Sequence, residues 1–330
     1  MLGPVVRLAA ACVVGIALAV VGYVAFQMVT SPGAREARDW ELLATMPSSR
    51  GETAAAVTDE GLFVLGGLTG LGLEATAEAA RYDPASDSWK VLPNLPAARH
   101  HAAAAAIDGT VYLSGGGSAG GQPQTGLWAF VPEASAWATL APMTEPRFGH
   151  RLVAIDERLY VVGGIGGGAA VLVYDVATDT WTRGADMPVP RDHLAAVAIG
   201  DEIWAIGGRV SGRNQDRVDI YDASRDAWRA GPPLPRATSA PTEGVLAGMI
   251  LISGGEDPAG GAMVDAHWQL DTSLGNAAAW EPLSPPPLTV HGAHAAVLGD
   301  RFLIAGGASR QGSSSRFAWS SLLQAFSPPD

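Results

Sequence analysis

One spacing recurs six times along this chain. In every copy a tryptophan is followed 26 residues later by a Gly-Gly pair. The tryptophans are Trp40, Trp89, Trp137, Trp181, Trp228 and Trp280, and the pairs begin at Gly66, Gly115, Gly163, Gly207, Gly254 and Gly306. Consecutive tryptophans lie between 44 and 52 residues apart, so the rest of each copy varies in length. A fixed frame with a variable remainder indicates a repeated structural unit that carries loops of different lengths.

Each copy carries signals for four strands. A run of small apolar residues, such as 102–107, ends in a tight turn at Asp108-Gly109, and a second apolar strand then leads to the Gly-Gly pair. Two strands joined by such a dipeptide predict a β-hairpin. A loop, a strand with a Tyr-Asp pair and the next tryptophan strand complete the unit. Four strands per copy are typical of a propeller blade, so the sequence predicts an all-β, six-bladed β-propeller over residues 39–330.

The repeat resembles the kelch motif. The third copy shows this most clearly, with residues 159–164 ending in Gly163-Gly164, then Tyr174-Asp175, then Trp181. The resemblance covers about residues 39–330, although Leu270 replaces the tyrosine in the fifth copy. It implies a non-catalytic binding or interaction module, because kelch propellers commonly act in that way, while propellers as a class host many functions.

The order of the strands predicts how the ring closes. No strand of the propeller precedes Trp40, whereas the residues after Gly306-Gly307 leave room for one more strand, around 316–326. We therefore expect a strand at 39–45 to complete the sixth blade. The alternative, an open ring, would expose unpaired backbone groups at its edge.

The N-terminus is strongly apolar. Residues 8–29 contain no charged side chain and only one strongly polar one, Gln27. A helix of that length reaches roughly 33 Å, enough to cross a hydrocarbon core of about 30 Å. The sequence predicts a transmembrane anchor at 8–29 between a short flank, 1–7, and a linker, 30–38. We expect a single-pass protein of the cell membrane with a periplasmic propeller; a cleaved signal peptide and a secreted propeller are the alternative.

Charge and cysteine content exclude several functions. The formal net charge is -12, which disfavours binding to nucleic acid. The single cysteine, Cys12, lies in the apolar segment, so the propeller has neither a disulfide nor a cysteine ligand. Among kelch-like enzymes this excludes the copper-dependent galactose oxidases, which need a cysteine cross-linked to a tyrosine. No cofactor and no catalytic residue are predicted.

Polar side chains gather near the start of the innermost strands. In a propeller these positions share one end with the loops that follow the Gly-Gly pairs, and we call this end the loop face. Loops at one end of a fixed frame are common places for binding sites. The predicted ligand site, for a protein or a carbohydrate, comprises Arg50, Glu52, Arg99, His100, His101, Arg147, His150, Arg191, His193, Arg209, Glu256 and His291.

The same residues have a structural interpretation. In kelch blades an arginine and a histidine at these positions commonly pack between blades and form hydrogen bonds there. In that case the arginine column, which comprises Arg50, Arg99, Arg147 and Arg191, would not contact a ligand. His100, His101 and His291 are the better candidates for ligand contact. Spacing alone would allow zinc at His291 and His294, but no further ligands stand near them in the sequence, so no metal site is predicted.

An enzyme of carbohydrate metabolism is the alternative function. Bacterial sialic-acid epimerases (mutarotases) are six-bladed kelch-like propellers with a glutamate and an arginine at their site. Glu256, directly after Gly254-Gly255, resembles that glutamate, but the loop 257–265 holds no arginine.

Overall fold

The computed structural model describes residues 37 and 39–328. The predicted transmembrane segment 8–29, its flank 1–7 and nearly all of the linker 30–38 lie outside the described residues. Within the described part, no helix is long and apolar enough to cross a membrane. There the chain forms six four-stranded antiparallel sheets and three two-stranded hairpins, with only short 3₁₀ helices between them. The prediction of an all-β, six-bladed propeller is confirmed.

The first three blades follow the chain in order from the innermost strand outward. Blade 1 comprises β2 (Ala54–Thr58), β3 (Gly61–Leu65), β6 (Ala79–Asp83) and β7 (Ser88–Leu92), with a hairpin of β4 (Leu68–Thr69) and β5 (Glu74–Ala75). Blade 2 comprises β8 (Ala103–Ile107), β9 (Thr110–Ser114), β10 (Leu127–Val131) and β11 (Ala136–Leu140), with 3₁₀ helix η1 (Pro132–Ala134). Blade 3 comprises β12 (Arg151–Ile155), β13 (Arg158–Val162), β14 (Ala170–Asp175) and β15 (Thr180–Asp186).

The last three blades repeat this order. Blade 4 comprises β16 (Ala195–Ile199), β17 (Glu202–Ile206), β20 (Val218–Asp222) and β21 (Ala227–Ala230), with hairpin β18 (Arg209–Val210) and β19 (Arg213–Asn214). Blade 5 comprises β22 (Thr242–Leu246), β23 (Met249–Ser253), β26 (His267–Asp271) and β27 (Glu281–Pro282), with hairpin β24 (Glu256–Asp257) and β25 (Ala262–Met263) and 3₁₀ helix η2 (Thr272–Ala277). Blade 6 comprises β28 (His294–Leu298), β29 (Arg301–Ala305), β30 (Leu323–Phe326) and β1 (Trp40–Leu43), with 3₁₀ helix η3 (Gly312–Phe317).

Blade 6 is assembled from two distant parts of the chain. Strand β1 pairs antiparallel with β30, so that Trp40 lies opposite Phe326 and Leu43 lies opposite Leu323. Strand β30 starts later than the expected 316 because residues 312–317 form η3. The outermost strand of the sixth blade is thus the first strand of the described chain, and the ring is closed by hydrogen bonds.

The hydrophobic core lies in the seams between neighbouring blades. Alanine-rich innermost strands, such as β2 and β8, allow six sheets to crowd around the central channel. Bulkier side chains fill the seams farther out; in the seam of blades 1 and 2, the rings of Phe63 and Phe130 lie 6.1 Å apart. No single blade buries both of its faces, so the stability of each blade depends on both neighbours.

The repeated tryptophan bonds each blade to the one before it. In all six copies the indole N–H donates at 2.7–3.1 Å to a backbone carbonyl at the end of the outermost strand of the preceding blade or just after it. The donor and acceptor pairs are Trp40 to Ser284, Trp89 to Ala44, Trp137 to Pro93, Trp181 to Ala141, Trp228 to Ala185 and Trp280 to Pro232. The tryptophan column of the sequence is therefore a column of bonds between blades.

The Gly-Gly pair is also required by contact between blades. At Gly66, φ is +60°, and an added Cβ would lie 2.5 Å from the carbonyl oxygen of Arg99 in the following linker. The N–H of Gly67 donates to that same carbonyl at 2.8 Å. The other five pairs repeat this hydrogen bond. A side chain at the first glycine would therefore push two blades apart.

Candidate functional site

The centre of the loop face is a closed ring of six backbone hydrogen bonds. One residue from the linker entering each blade takes part, and its N–H donates at 2.5–3.2 Å to the carbonyl of its counterpart in the preceding blade. We call these six residues the girdle: Glu52, His101, Gly149, His193, Ala240 and Gly292. Each has a φ between +49° and +61°. For the four that are not glycine this left-handed conformation costs energy, and such strain concentrates at functional sites.

Three girdle side chains converge over the channel. Glu52, His101 and His193 each offer one ligand atom, and these atoms lie within 4.8 Å of one another. His101 Nε2 lies 3.2 Å from Glu52 Oε2, and the two imidazole rings meet edge to face with centroids 5.1 Å apart. From blade 6, Nδ1 of His291 lies 3.6 Å from Glu52 Oε1. Four linkers that are distant in sequence thus meet at one carboxylate.

Electrostatics sets the protonation of this cluster. Burial opposes the ionisation of Glu52, but the neighbouring His101, His291 and His193 outweigh it and hold the pKa of Glu52 well below its usual range. Burial lowers the pKa of His101 to about 3, despite the pull of Glu52. Burial also opposes the charged form of His291, but its contacts with Glu52 raise the pKa of that imidazole above its ordinary value. At neutral pH the site therefore holds an ionised carboxylate beside a neutral His101.

A second set of contacts surrounds Arg209 in strand β18. Its Nε donates to Asp192 Oδ1 at 2.8 Å, and its Nη1 donates to Glu256 Oε1 at 3.2 Å. Its Nη2 lies 2.9 Å from Nε2 of His193. The other oxygen of Glu256 accepts the backbone N–H of Gly312 at 3.0 Å. The arginine that faces Glu256 comes from the neighbouring blade and not from the loop 257–265, which holds none.

Side chains fill the channel beneath the girdle. Arg151 of blade 3 reaches across the channel to Glu243 of blade 5; Nη2 of the arginine donates to Oε2 of the glutamate at 3.2 Å, and Nε forms a second bond to Oε1. Both side chains are 9% exposed. His294, at the start of β28, lines the same narrow cleft. Arg151 and His294 were not among the predicted site residues, although both face the channel from the start of an innermost strand.

The predicted arginine column lies mostly inside the blades. Arg50, Arg147 and Arg191 are at most 3% exposed. Each donates to a backbone carbonyl within its own blade, namely those of Val64, Ala170 and Ala205. These three arginines secure strands and stand apart from the mouth of the channel.

Three further predicted residues have different environments. Arg99 is half-buried, with its guanidinium 4.8 Å from the ring centroid of Trp128. His150 is fully buried and bonds Ser114 Oγ through Nε2 at 2.8 Å. His100, in contrast, lies at the mouth, where its Nδ1 is 2.5 Å from Nδ1 of His101. The mouth therefore brings together Glu52, His100, His101, His193, Arg209, Glu256 and His291 from the predicted set.

Exposed apolar side chains lie on the same face of the propeller as this polar mouth. Leu71 and Leu73, on the turn between β4 and β5, are 67% and 36% exposed, and Ile165, after the third Gly-Gly pair, is 38% exposed. All three lie on the loop face. Phe148, whose backbone pairs with that of Ile165, is half-buried, and its ring lies edge-on to that of His101 at 5.7 Å. A face that combines a charged centre with exposed apolar side chains is suited to contact another molecule.

Repetition, ring closure and the Gly-Gly contacts define this protein as a repeat-built β-propeller. Two descriptions of protein families match it: the Kelch motif, at residues 49–96 and 98–144, and the KLHDC2/KLHL20/DRC7 Kelch-repeats domain, at residues 144–307. The chain belongs to the kelch-repeat family, as the resemblance of its motifs indicated.

Curated relatives carry the same name. Kelch-like protein terF of Aspergillus terreus is 29% identical over 309 residues, which is 88% of this chain and 56% of that protein. Human Kelch-like protein 30 is 39% identical over 202 residues, which is 60% of this chain and 34% of the length of that protein. The chain thus spans little more than half of the first of these relatives and less of the second.

A solved structure confirms the fold. The structure of YjhT superposes with a TM-score of 0.73 and 17% sequence identity, covering 86% of this chain and 97% of that one. At this level of identity the likeness shows the fold alone.

Proposed function

We propose that this propeller is a non-catalytic binding module that takes a protein ligand on its loop face. The observation that carries the proposal is the exposure of Leu71, Leu73 and Ile165 on the same face as a charged mouth. Protein interfaces commonly combine apolar contacts with polar groups that fix orientation. Membership of the kelch family supports the same class of function.

The shape of the mouth favours a broad contact over an enclosed small ligand. Drug-sized ligands usually occupy cavities of roughly 300–1,000 Å³. At the girdle, however, the cleft is narrow, and the Arg151–Glu243 pair and His294 fill the channel beneath it. A ligand that lies across the loops is therefore a better fit than one that enters the channel.

Site-specific crosslinking tests this proposal. A photoreactive amino acid at position 71 or 165 should give a discrete crosslinked protein in native cells. Position 274 is the matched control, because Leu274 is 55% exposed but lies in η2 at the opposite end of the propeller. The Leu71→Asp variant should abolish the crosslink formed from position 165, whereas Leu274→Asp should not. Equal crosslinking from positions 71, 165 and 274 would show that the loop face is not the binding surface.

The location of the protein is part of the proposal. Residues 8–29 would anchor the propeller in the cell membrane and leave it outside the cytoplasm, supported by an apolar run long enough to span a bilayer. The full chain should stay in the membrane pellet after an alkaline wash, and protease should reach the propeller from outside the cytoplasm. Release of the full chain by the wash would refute the anchor. A purified protein that lacks the mass of residues 1–33 would instead show a cleaved signal peptide.

A sialic-acid mutarotase remains a second candidate because Arg209 faces Glu256. The two side chains are 3.2 Å apart and lie on the loop face, so the glutamate does have an arginine partner. NMR exchange spectroscopy of sialic acid anomers with the purified protein tests this function. Acceleration that disappears in Glu256→Gln would establish the enzyme, and an unchanged exchange rate would eliminate it.

A further inference from the structure

We propose that Glu52, His101 and His193, with His291 beside them, form a binding site for a divalent transition-metal ion of the zinc type at the centre of the loop face. The inference is independent of the protein ligand proposed above. Imidazole and carboxylate groups together are the ligands that zinc and its neighbours in the first transition row prefer.

The distances between ligand atoms fit one ion. In a tetrahedral zinc site with bonds of about 2.0–2.1 Å, neighbouring ligand atoms are roughly 3.3–3.4 Å apart. His101 Nε2 and Glu52 Oε2 are 3.2 Å apart. The third ligand atom, from His193, completes a set that lies within 4.8 Å. Small side-chain rotations would therefore bring all three atoms onto one ion.

An unsatisfied nitrogen on His291 points to the same place. Its Nε2 lies 2.9 Å from the carbonyl oxygen of Arg310, so Nε2 carries the proton and donates it there. In the neutral imidazole Nδ1 is then left with a lone pair that has no hydrogen-bond partner among the described residues, although the side chain is only 3% exposed. This lone pair faces Glu52 Oε1 at 3.6 Å. Two lone pairs that face each other in a buried site need a cation between them, which is either a proton on Nδ1 or a metal ion that takes the place of that proton.

The outer partners of the histidines resemble those of metal ligands. A histidine that binds a metal usually donates its other ring N–H to a carboxylate or carbonyl, which fixes the tautomer. His193 Nδ1 lies 2.5 Å from Asp192 Oδ1, and His291 Nε2 bonds the carbonyl of Arg310. His101 Nδ1 faces the ring nitrogen of His100 at 2.5 Å. Each histidine thus has one nitrogen held from outside and the other directed towards the cluster, where that of His193 contacts Arg209.

The girdle makes the site rigid, and Arg209 would compete with a metal ion for one of the ligand atoms. Three of the ligands belong to residues whose backbones are locked in the ring of hydrogen bonds, so little ordering is needed when an ion binds. Nη2 of Arg209 lies 2.9 Å from His193 Nε2 and donates to the lone pair of that nitrogen in the structure. Metal binding must displace this contact, so loss of the guanidinium should strengthen binding.

Titration of the full chain with zinc chloride in a non-chelating buffer tests the site. Calorimetry should show one ion per chain, and cobalt(II) should give the visible absorption of a low-symmetry, four-coordinate site. Glu52→Gln keeps the size of the side chain and should weaken binding by more than the 10–100-fold that loss of an outer partner typically costs. Glu78→Gln is the matched control, because Glu78 also lies on the loop face but pairs with Arg50 and should leave binding unchanged.

Two further measurements keep the test decisive if Glu52→Gln folds poorly. His193→Gln should weaken zinc binding comparably, whereas Arg209→Gln should tighten it. Zinc at about one hundred times its Kd should raise the Tm of the wild type by on the order of 4 °C. The proposal is overturned if zinc at millimolar concentration gives no binding heat, or if Glu52→Gln and Glu78→Gln bind equally well.

Discussion

The seam that closes the ring should be the most sensitive part of this propeller, and Trp40→Ala tests it directly. Trp40 is 9% exposed, and its ring centroid lies 5.3 Å from those of Phe326 and His267. Its indole N–H donates to the carbonyl of Ser284 at 3.0 Å. The substitution removes these contacts from β1, the strand that joins blade 6 from a distant part of the chain.

The expected loss follows from these contacts. Truncation of a buried tryptophan to alanine typically costs about 3–5 kcal/mol. For a folded unit of this size, with an unfolding entropy of about 2.1 cal/mol/K per residue, that loss lowers the Tm by roughly 5–8 °C. Trp40→Phe retains an aromatic ring and loses mainly the hydrogen bond, so it should cost only about 1–2 kcal/mol.

Urea and thermal unfolding, followed by circular dichroism, measure the effect. Trp137→Ala is the matched control, because Trp137 makes the same bond to Pro93 but is more exposed and lies in a seam of continuous chain. Hydrogen exchange of the β30 amides should accelerate in Trp40→Ala and not in Trp137→Ala. The reasoning about closure is refuted if Trp40→Ala costs less than about 1 kcal/mol, or if β30 exchanges no faster than in the wild type.

Three other predictions concern the interior. Gly66→Ala should cost about 2–5 kcal/mol in urea unfolding, because φ is +60° and the new Cβ would lie 2.5 Å from a carbonyl of the next blade. Arg191→Met should cost about 1.5–3 kcal/mol by the same assay, since it removes a charge-assisted hydrogen bond to Asp219 at a site where both side chains are 0% exposed, while Arg217 stays bonded to that carboxylate. Burial lowers the pKa of His267 to about 4. Between the ordinary pKa of about 6.5 and pH 4, the imidazole therefore binds a proton in the unfolded chain but not in the folded chain. The free energy of unfolding should fall by up to about 1.4 kcal/mol for each unit that the pH drops in this range. His267→Leu should lose that share of the pH dependence of unfolding.

The first two of these have a matched control in the same chain. At Gly109 an added Cβ would have no atom of the described residues within 4 Å, so Gly109→Ala should cost only about 1–2 kcal/mol for its positive φ. Arg229→Met breaks an ion pair whose arginine is 52% exposed and should cost less than about 1 kcal/mol. Equal losses within either pair would contradict the packing argument. A His267→Leu variant whose unfolding free energy depends on pH as in the wild type would contradict the assigned burial of that imidazole.

The repeat made the architecture readable from the sequence. The tryptophan and Gly-Gly columns are periodic because the seam between blades recurs six times, and each seam needs the same indole bond and the same close approach of backbone. The paired Arg209 and Glu256 were harder to find, because they lie 47 residues apart in neighbouring blades and meet only when the blades pack.

The orientation of the polar column could not be read from the sequence. Arg50 and Glu52 are two residues apart, yet the arginine turns into its blade to reach the Val64 carbonyl while the glutamate faces the channel. The change of direction depends on the positive φ of the girdle residues, and no sequence pattern marks Glu52, His101 or His193 for that conformation. Sequence alone therefore grouped side chains that hold strands together with side chains that meet at the mouth.

The girdle passes through blade 6 as it passes through every other blade, with all six N–H groups pointing the same way around the axis. The first and last strands of the propeller are neighbours in blade 6, where Trp40 lies opposite Phe326 in the paired strands β1 and β30. A short peptide joining that pair, with new termini cut at the Asp108-Gly109 turn, should rebuild the same disc from a rotated order of repeats. The fold would then depend on the cyclic order of the blades and not on the position of the chain termini.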